Sequence, residues 1–296
     1  MTLPNFIIGG AAKCASTSLH AYLDEHPEVA MSRPKQTHFW DTDTLYSRGL
    51  EHYATYFAHV TDEKAVGETT PSYMHGRYIA ERIKAGIPDI RMIFIFRDPV
   101  KRAYSNYWHG YRKGRVVGSF ADTLDNPDCR HFWERGRYAK FLEDCFDVFG
   151  RERCHLLLTE QLNKQPHETL EKIWRFLEVD PAFRCAIAGE RRNTHRIPRS
   201  MALQRFAYLH LSAAGKPEDN SQYDEDGNLE IHFKYRRFWR ARKFATGVIN
   251  RFNMKDADYP PLDEDTAQRA RMKFVDDNRR FADLTGIDIH QWWTYA

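Results

Sequence analysis

Two groupings of cations and hydroxyls carry the chemistry legible in this chain. From Arg97 to Tyr107 the sequence reads Arg-Asp-Pro-x-x-Arg-x-x-Ser-x-Tyr. A guanidinium at Arg97 with the hydroxyl of Ser105 on a following helix makes a charged, hydrogen-bonding cradle for a phosphate group. The second grouping runs Gly9-Gly10-Ala11-Ala12-Lys13-Cys14-Ala15-Ser16-Thr17-Ser18. Small side chains there let the backbone approach an anion, free amides at a helix start point at it, and Lys13 adds a point charge. The Walker pattern GxxxxGK[ST] needs its lysine directly before Ser/Thr, and Lys13 stands three residues before Ser16, which removes the main support for an ATP-using kinase. Between the groupings comes Glu68, so the pattern suggests one ligand with two anionic ends and a base between them.

The elements that must position these residues follow from apolar runs and punctuation. Arg91 to Phe96 is short, apolar and rich in β-branched and aromatic residues, which predicts a buried parallel strand with Arg97 at its C-terminal end. Pro99 suits a first helical turn, and the helix it opens carries Arg102 and Ser105 at spacing i, i+3. The chain reads as strand 5–9, helix 17–26, strand 65–68, helix 72–85, strand 91–96, helix 99–112, a mixed helical stretch 117–149, strand 154–159 and helix 166–178. An irregular loop to 199 and helical segments to the end complete the reading. Strands alternating with helices imply βαβ units and an α/β fold, a doubly wound parallel sheet flanked by helices. In such sheets ligands gather outside the carboxyl ends of the strands, where Lys13, Glu68 and Arg97 all fall.

These residues resemble the PAPS-dependent sulfotransferases (PAPS is 3′-phosphoadenosine-5′-phosphosulfate), most closely the heparan-sulfate N- and 3-O-sulfotransferase type. The segment Lys13–Ser18 is similar to the family's Lys-x-Gly-[ST]-[ST] loop, with Ala15 where glycine is usual; if that position needs a positive φ, the loop must be strained. Arg97 to Tyr107 matches the family's 3′-phosphate pattern throughout. Glu68 to Tyr73 resembles Glu-Lys-[ST]-Pro-x-Tyr with Thr69 in the lysine place, and Pro34 to Trp40 resembles Pro-Lys-Glu-x-His-Phe-Phe. The stretches 136–150 and 176–181 are also similar to the family, and Arg191 to Pro198 more weakly resembles its Lys-Gly-Arg-Thr-His-Pro cofactor loop.

The resemblance implies a P-loop-like sulfotransferase fold and a site divided by role. Lys13, Cys14, Ala15, Ser16, Thr17 and Ser18 would hold the 5′-phosphosulfate. Arg97 and Ser105 would hold the 3′-phosphate, with Arg191, Thr194 and His195 closing over the cofactor. Glu68 would take the acceptor's proton, Lys13 would meet the charge left on the departing phosphate, and Lys35 and His38 would assist on the acceptor side. PAPS is the co-substrate, 3′,5′-ADP its product, and no metal is expected. The acceptor implied is a carbohydrate hydroxyl or amine. The other readings are a P-loop-like nucleotide kinase or hydrolase, with Asp98 as its acid, and a non-catalytic nucleotide- or glycan-binding protein.

Length and composition set the remaining bounds. A chain of 296 residues has room for a large buried core, and one domain over 1–296 is expected, with a lid or insertion around 213–245. Hydrophobic residues make up 42%, and no apolar run approaches the ~20 residues of a membrane span. With no basic leader before the first apolar run, a cytoplasmic, bacterial protein is expected. Five cysteines lack any C-x-x-C pair and fourteen histidines lack an H-E-x-x-H, so neither a disulfide framework nor a zinc site is indicated. Net charge is only +3, and the basic-aromatic segment 232–244 comes with no nucleic-acid-binding module, so nucleic acid is not an expected partner.

Overall fold

The computed structural model describes residues 1–189, 196–211 and 239–296. Five parallel strands, β1 (Phe6–Gly10), β2 (Val29–Met31), β3 (Ala65–Thr69), β4 (Arg91–Phe96) and β5 (Cys154–Leu158), form a sheet in the order β2-β3-β1-β4-β5. Near-continuous apolar runs such as Met92–Phe96 suit strands covered on both faces. Phe6 pairs with Gly67 on one side and Arg91 on the other, so β1 lies between β3 and β4. That approach requires glycine, because a Cβ on Gly67 would stand 2.1 Å from the Phe6 ring. The carboxyl ends of β3, β1 and β4 are therefore neighbours, and Lys13, Glu68 and Arg97 issue from them.

The connections are helical. After β1 comes α1 (Ser16–Leu23); α2 (Asp43–Tyr46) and α3 (Gly49–Ala54) lie between β2 and β3, and α4 (Arg77–Gly86) leads to β4. Between β4 and β5 lie α5 (Pro99–Arg112), α6 (Arg130–Glu134) and α7 (Tyr138–Phe149), and α8 (Thr159–Lys164) and α9 (Pro166–Leu177) follow. Further along, β6 (Arg196–Pro198) pairs antiparallel with β7 (Met254–Asp256), with α10 (Met201–Phe206) and α11 (Trp239–Asn253) between them in sequence. Two more helices, α12 (Glu264–Met272) and α13 (Val275–Thr285), come after β7.

One apolar core fills the space around the sheet, with Ile7, Phe94, Leu157 and Trp174 among its members. A second gathers around α5 from Val100, Tyr107, Trp108, Phe132, Trp133 and Phe274. The start of α5 is held closely: Asp98 accepts from the amides of Val100 (2.9 Å) and Lys101 (3.2 Å), Pro99 takes the first turn, and the amide of Tyr295 donates to the other Asp98 oxygen at 2.9 Å. Phe281 and Trp293, from the last part of the chain, stack on each other and pack against Tyr138. Asp98 is thus an enclosed cap whose oxygens serve backbone amides, which leaves the kinase reading without its acid.

The expected doubly wound sheet is present, with local differences. Helix α1 ends at Leu23 rather than 26, and Thr159 opens α8 instead of closing β5. The chain after Glu68 makes a 3₁₀ turn at Tyr73–His75 and begins α4 only at Arg77, past Gly76. The strands β2, β6 and β7 were not expected; at three residues each they are too short to leave a periodic pattern. Of the expected insertion 213–245, residues up to 238 lie outside the described residues, and the rest begins α11. Among the described residues no helix is long and apolar enough to cross a membrane.

Candidate active site

The loop from β1 to α1 is the first component. Lys13 and Ala15 have φ of 70° and 62°, so the expected strain at Ala15 is real and shared with Lys13. Left-handed backbone costs an L-residue roughly 1–2 kcal/mol. No side chain caps α1, which leaves its first amides open toward the loop. Ser16 is nearly buried, and Thr17 and Ser18 are half-buried in the first turn. Burial, then Arg112, Lys113, Arg97 and Arg102, bring the Lys13 ammonium down to a pKa of about 8.

Arg97 leaves β4 half-buried, and Ser105 sits half-buried on α5. Arg102, Ser105, His109 and Arg112 recur at helical spacing along one stripe of α5. The Arg102 guanidinium is fully enclosed, donates to the carbonyl of Phe132, and leaves Nε and Nη1 without partners. Burial, with Lys13, Lys113, Arg112 and Arg115 around it, brings the His109 imidazole down to about 3, so it stays neutral. Among the described residues none of Lys13, Arg97, Arg102, Arg112 and Lys113 forms an ion pair with an acid. A cluster of five mutually repelling cations is unfavourable in itself and suits an anion of several charges.

On the other side of the loop, Lys35 Nζ donates to Thr17 Oγ1 at 2.8 Å, and burial lowers its pKa. His38, itself at φ 53°, is exposed and turns Nδ1 to both Asp41 oxygens at 3.2 Å. The hydrogen bond to Asp41 raises the His38 pKa against the effect of burial. Burial pushes Asp41 up, but hydrogen bonds from His38 and Ser72, the latter at 2.5 Å, leave its pKa lowered. This is the arrangement of a base held by an orienting carboxylate.

Glu68 stands at the end of β3, as the sequence reading placed it, but deeper than an exposed strand end. Its carboxyl is completely buried, with Tyr53 donating to Oε1 at 2.8 Å and Thr37 to Oε2. Burial, resisted by those hydroxyls, raises its pKa to about 7. Enclosed in this way, it ties β3 to the Thr37–Phe39 segment on which His38 stands. Thr69, in the place where the family resemblance puts a lysine, is hydrogen-bonded to His20 Nδ1 at 2.9 Å. Arg191, Thr194 and His195 lie outside the described residues, although β6, which follows them, packs against α5.

The structure therefore brings Lys13 beside Arg97, Arg102, Arg112 and Lys113 and ties Lys35 to Thr17 of the same loop, while Ser105 stands on the α5 stripe and Glu68 is buried at the end of β3. The sequence reading did not assign Arg102, His109, Arg112, Lys113 or Asp41. Their signal was available: three of them continue the stripe of Ser105, and Asp41 follows His38 by three residues.

The profile of the sulfotransferase family matches residues 44–183. The membrane-associated sulfotransferase kil1 of Dictyostelium discoideum is 36% identical over 110 residues, covering 36% of this chain and 23% of that protein. The human heparan sulfate glucosamine 3-O-sulfotransferase 3B1 is 31% identical over 182 residues, covering 59% of this chain and 46% of that protein. The chain thus spans less than half the length of either relative. Among solved structures, a sulfotransferase from Alicyclobacillus acidocaldarius superposes with a TM-score of 0.68 at 22% identity, covering 99% of both chains, which shows a shared fold.

Proposed function

We propose, supported by the match of residues 44–183 to the sulfotransferase family model, that this chain transfers a sulfuryl group from PAPS to a hydroxyl or amine of a carbohydrate. The observation that carries this reading is the cluster of five cations that have no acidic partner among the described residues, which joins the Lys13 loop to Arg97 and α5. PAPS has three anionic groups, two at one end and one at the other, and so matches a cluster divided between two sites. When bound, it supplies the activated sulfuryl group.

Each residue then has a task set by its position. Arg97 and Ser105 hold the 3′-phosphate, with Arg112 and Lys113 adding to the field. Lys13, the amides opening α1 and the hydroxyls of Ser16–Ser18 hold the 5′ end, and Lys13 stands ready for negative charge that grows on the phosphate oxygen. Lys35, tied to Thr17, adds a second cation beside the helix start. His38, oriented by Asp41, takes the acceptor's proton in place of the enclosed Glu68. Since transfers of this kind rest mainly on placing groups and meeting charge, these side chains suffice without a divalent cation. The likeness of one relative's name to a glucosamine substrate supports a carbohydrate acceptor.

The test is turnover of labelled PAPS with glucosamine-containing polysaccharide, in the presence and absence of EDTA, beside calorimetry with 3′,5′-ADP and 5′-ADP. Label should pass to the glycan with or without chelator. The 3′-phosphate should improve affinity ten- to a hundredfold, the ~1.5–3 kcal/mol of a charged hydrogen bond, and Arg97→Ala should erase most of it. Equal affinities for the two nucleotides would end the assignment of Arg97, and activity restored only by Mg²⁺ would end the metal-free mechanism.

A further inference from the structure

The strained turn at Lys13–Ala15 is held from outside, and what holds it also touches the second anion site. Cys14 lies between the two left-handed residues. Its thiol is 3.5 Å from the Tyr138 hydroxyl, and its carbonyl accepts from the Thr159 hydroxyl at 3.1 Å. Each hydroxyl has another partner at the end of β4: Tyr138 donates to the Arg97 carbonyl at 2.9 Å, and Thr159 reaches the Phe96 carbonyl at 2.8 Å. A carbonyl can only accept, so the phenolic proton points to Arg97; the Cys14 thiol has the phenol oxygen and the Ala12 carbonyl, 3.7 Å away, as acceptors, and the Thr159 proton is shared between the carbonyls of Cys14 and Phe96. Tyr138 is 0% exposed and Thr159 6%, so water does not compete for these bonds.

We propose that Tyr138 and Thr159 are positioning residues that brace the Lys13–Ala15 turn against the Phe96–Arg97 strand end and so set the separation of the two anion sites. This rests on the reading above that one ligand carries an anion at each end. Such a ligand gains from both sites only when their spacing matches its own. The brace therefore governs preference for a bisphosphate, whereas each phosphate alone needs only its own half of the site. A purely structural Tyr138 would act through its ring, which packs on Phe96, Phe281 and Trp293.

Tyr138→Phe keeps that ring and deletes the hydroxyl, and Thr159→Val keeps the shape of its side chain. Calorimetry with 3′,5′-ADP, 5′-AMP and 3′-AMP, together with amide hydrogen exchange on the unliganded protein, separates the two accounts. In either variant 3′,5′-ADP should bind about tenfold more weakly while both monophosphates stay within about twofold, the scale of one or two lost hydrogen bonds. Exchange should rise at 12–17 and 97–98 together with the melting temperature little changed. Adding Ala15→Gly to Tyr138→Phe should restore the bisphosphate preference, because glycine takes the left-handed backbone without strain.

Parallel weakening of all three nucleotides, or unchanged affinities with unchanged exchange, would overturn the brace. Should the wild-type protein show no preference for 3′,5′-ADP over the monophosphates, the cofactor reading fails instead, and exchange alone decides: joint loosening of both segments sustains the brace, and unaltered exchange ends it.

Discussion

Lys35 Nζ stands 2.8 Å from the hydroxyl of Thr17, tying the segment after β2 to the first turn of α1. The contact places a cation from one connection over the anion loop of another, beside the position proposed for the sulfuryl group. Lys35→Ala should lower kcat by roughly 10²–10³, as loss of a preorganised donor does, and leave 3′,5′-ADP affinity within about threefold. Single-turnover rates beside calorimetry check this; a fall in nucleotide affinity as large as the fall in rate would move Lys35 to the cofactor side.

The lowered Lys13 pKa ties cofactor binding to protons. The free ammonium titrates near about 8, and a bound polyanion favours its charged form. Affinity for 3′,5′-ADP should be level below that pH and decline as pH rises above it, with proton uptake on binding at pH 8 to 9. Calorimetry in buffers of different ionisation enthalpy reads the uptake directly. Lys13→Arg should abolish the uptake, and a wild-type affinity flat through this range would count against a role for Lys13 at the phosphate.

If His38 is the base, its neutral form is the active one, and its pKa is raised above 6.5 by Asp41. kcat/KM should fall as pH drops through that pKa. Asp41→Asn should move the acid limb to lower pH, and His38→Ala should cut kcat by about 10²–10⁴ with 3′,5′-ADP binding preserved. A His38→Ala enzyme with the wild-type acid limb would clear His38 of the role.

Glu68 should act on stability more than on rate. Its folded pKa of about 7 lies above the ordinary 4.5, so the folded state keeps a proton that the unfolded chain has released. The stabilisation this provides is complete below about pH 4.5 and is lost as pH rises through about 7. Glu68→Gln should remove that slope, raise the melting temperature above pH 7 and retain most activity. Melting curves from pH 4 to 8 with parallel rates decide it, and a collapse of kcat by 10² or more without unfolding would return the base to Glu68.

Most of the sheet could be read from the chain because buried parallel strands leave unbroken apolar runs, as in Arg91–Phe96, and Pro99 marks the helix that follows. The placement of Arg97 and the Lys13 loop on neighbouring strand ends, and of Ser105 on the helix after Pro99, was legible for the same reason. What sequence could not show was depth. Glu68 and Arg97 each belong to a strand end, yet hydroxyls of Tyr53 and Thr37 close over one while the other stays half-open. Those partners come from segments without periodicity, and nothing in the order of residues indicates which carboxylate they will enclose. Tyr138 and Thr159 were hidden similarly, since their links to Cys14 span 124 and 145 positions.

The contact between Asp98 and the Tyr295 amide, with Trp293 packed beside Tyr138, also orders events during synthesis. Every strand of the parallel sheet has been translated once Leu158 is made, so the sheet can assemble while the ribosome is still at work. The helix start beneath Ser105 and the surroundings of Tyr138 must wait for Trp293 and Tyr295, translated after the whole of that sheet. A nascent chain thus passes through an interval in which its sheet is complete but the cap of α5 and the packing around Tyr138 are not, so the proposed anion sites are finished later than the scaffold that carries them.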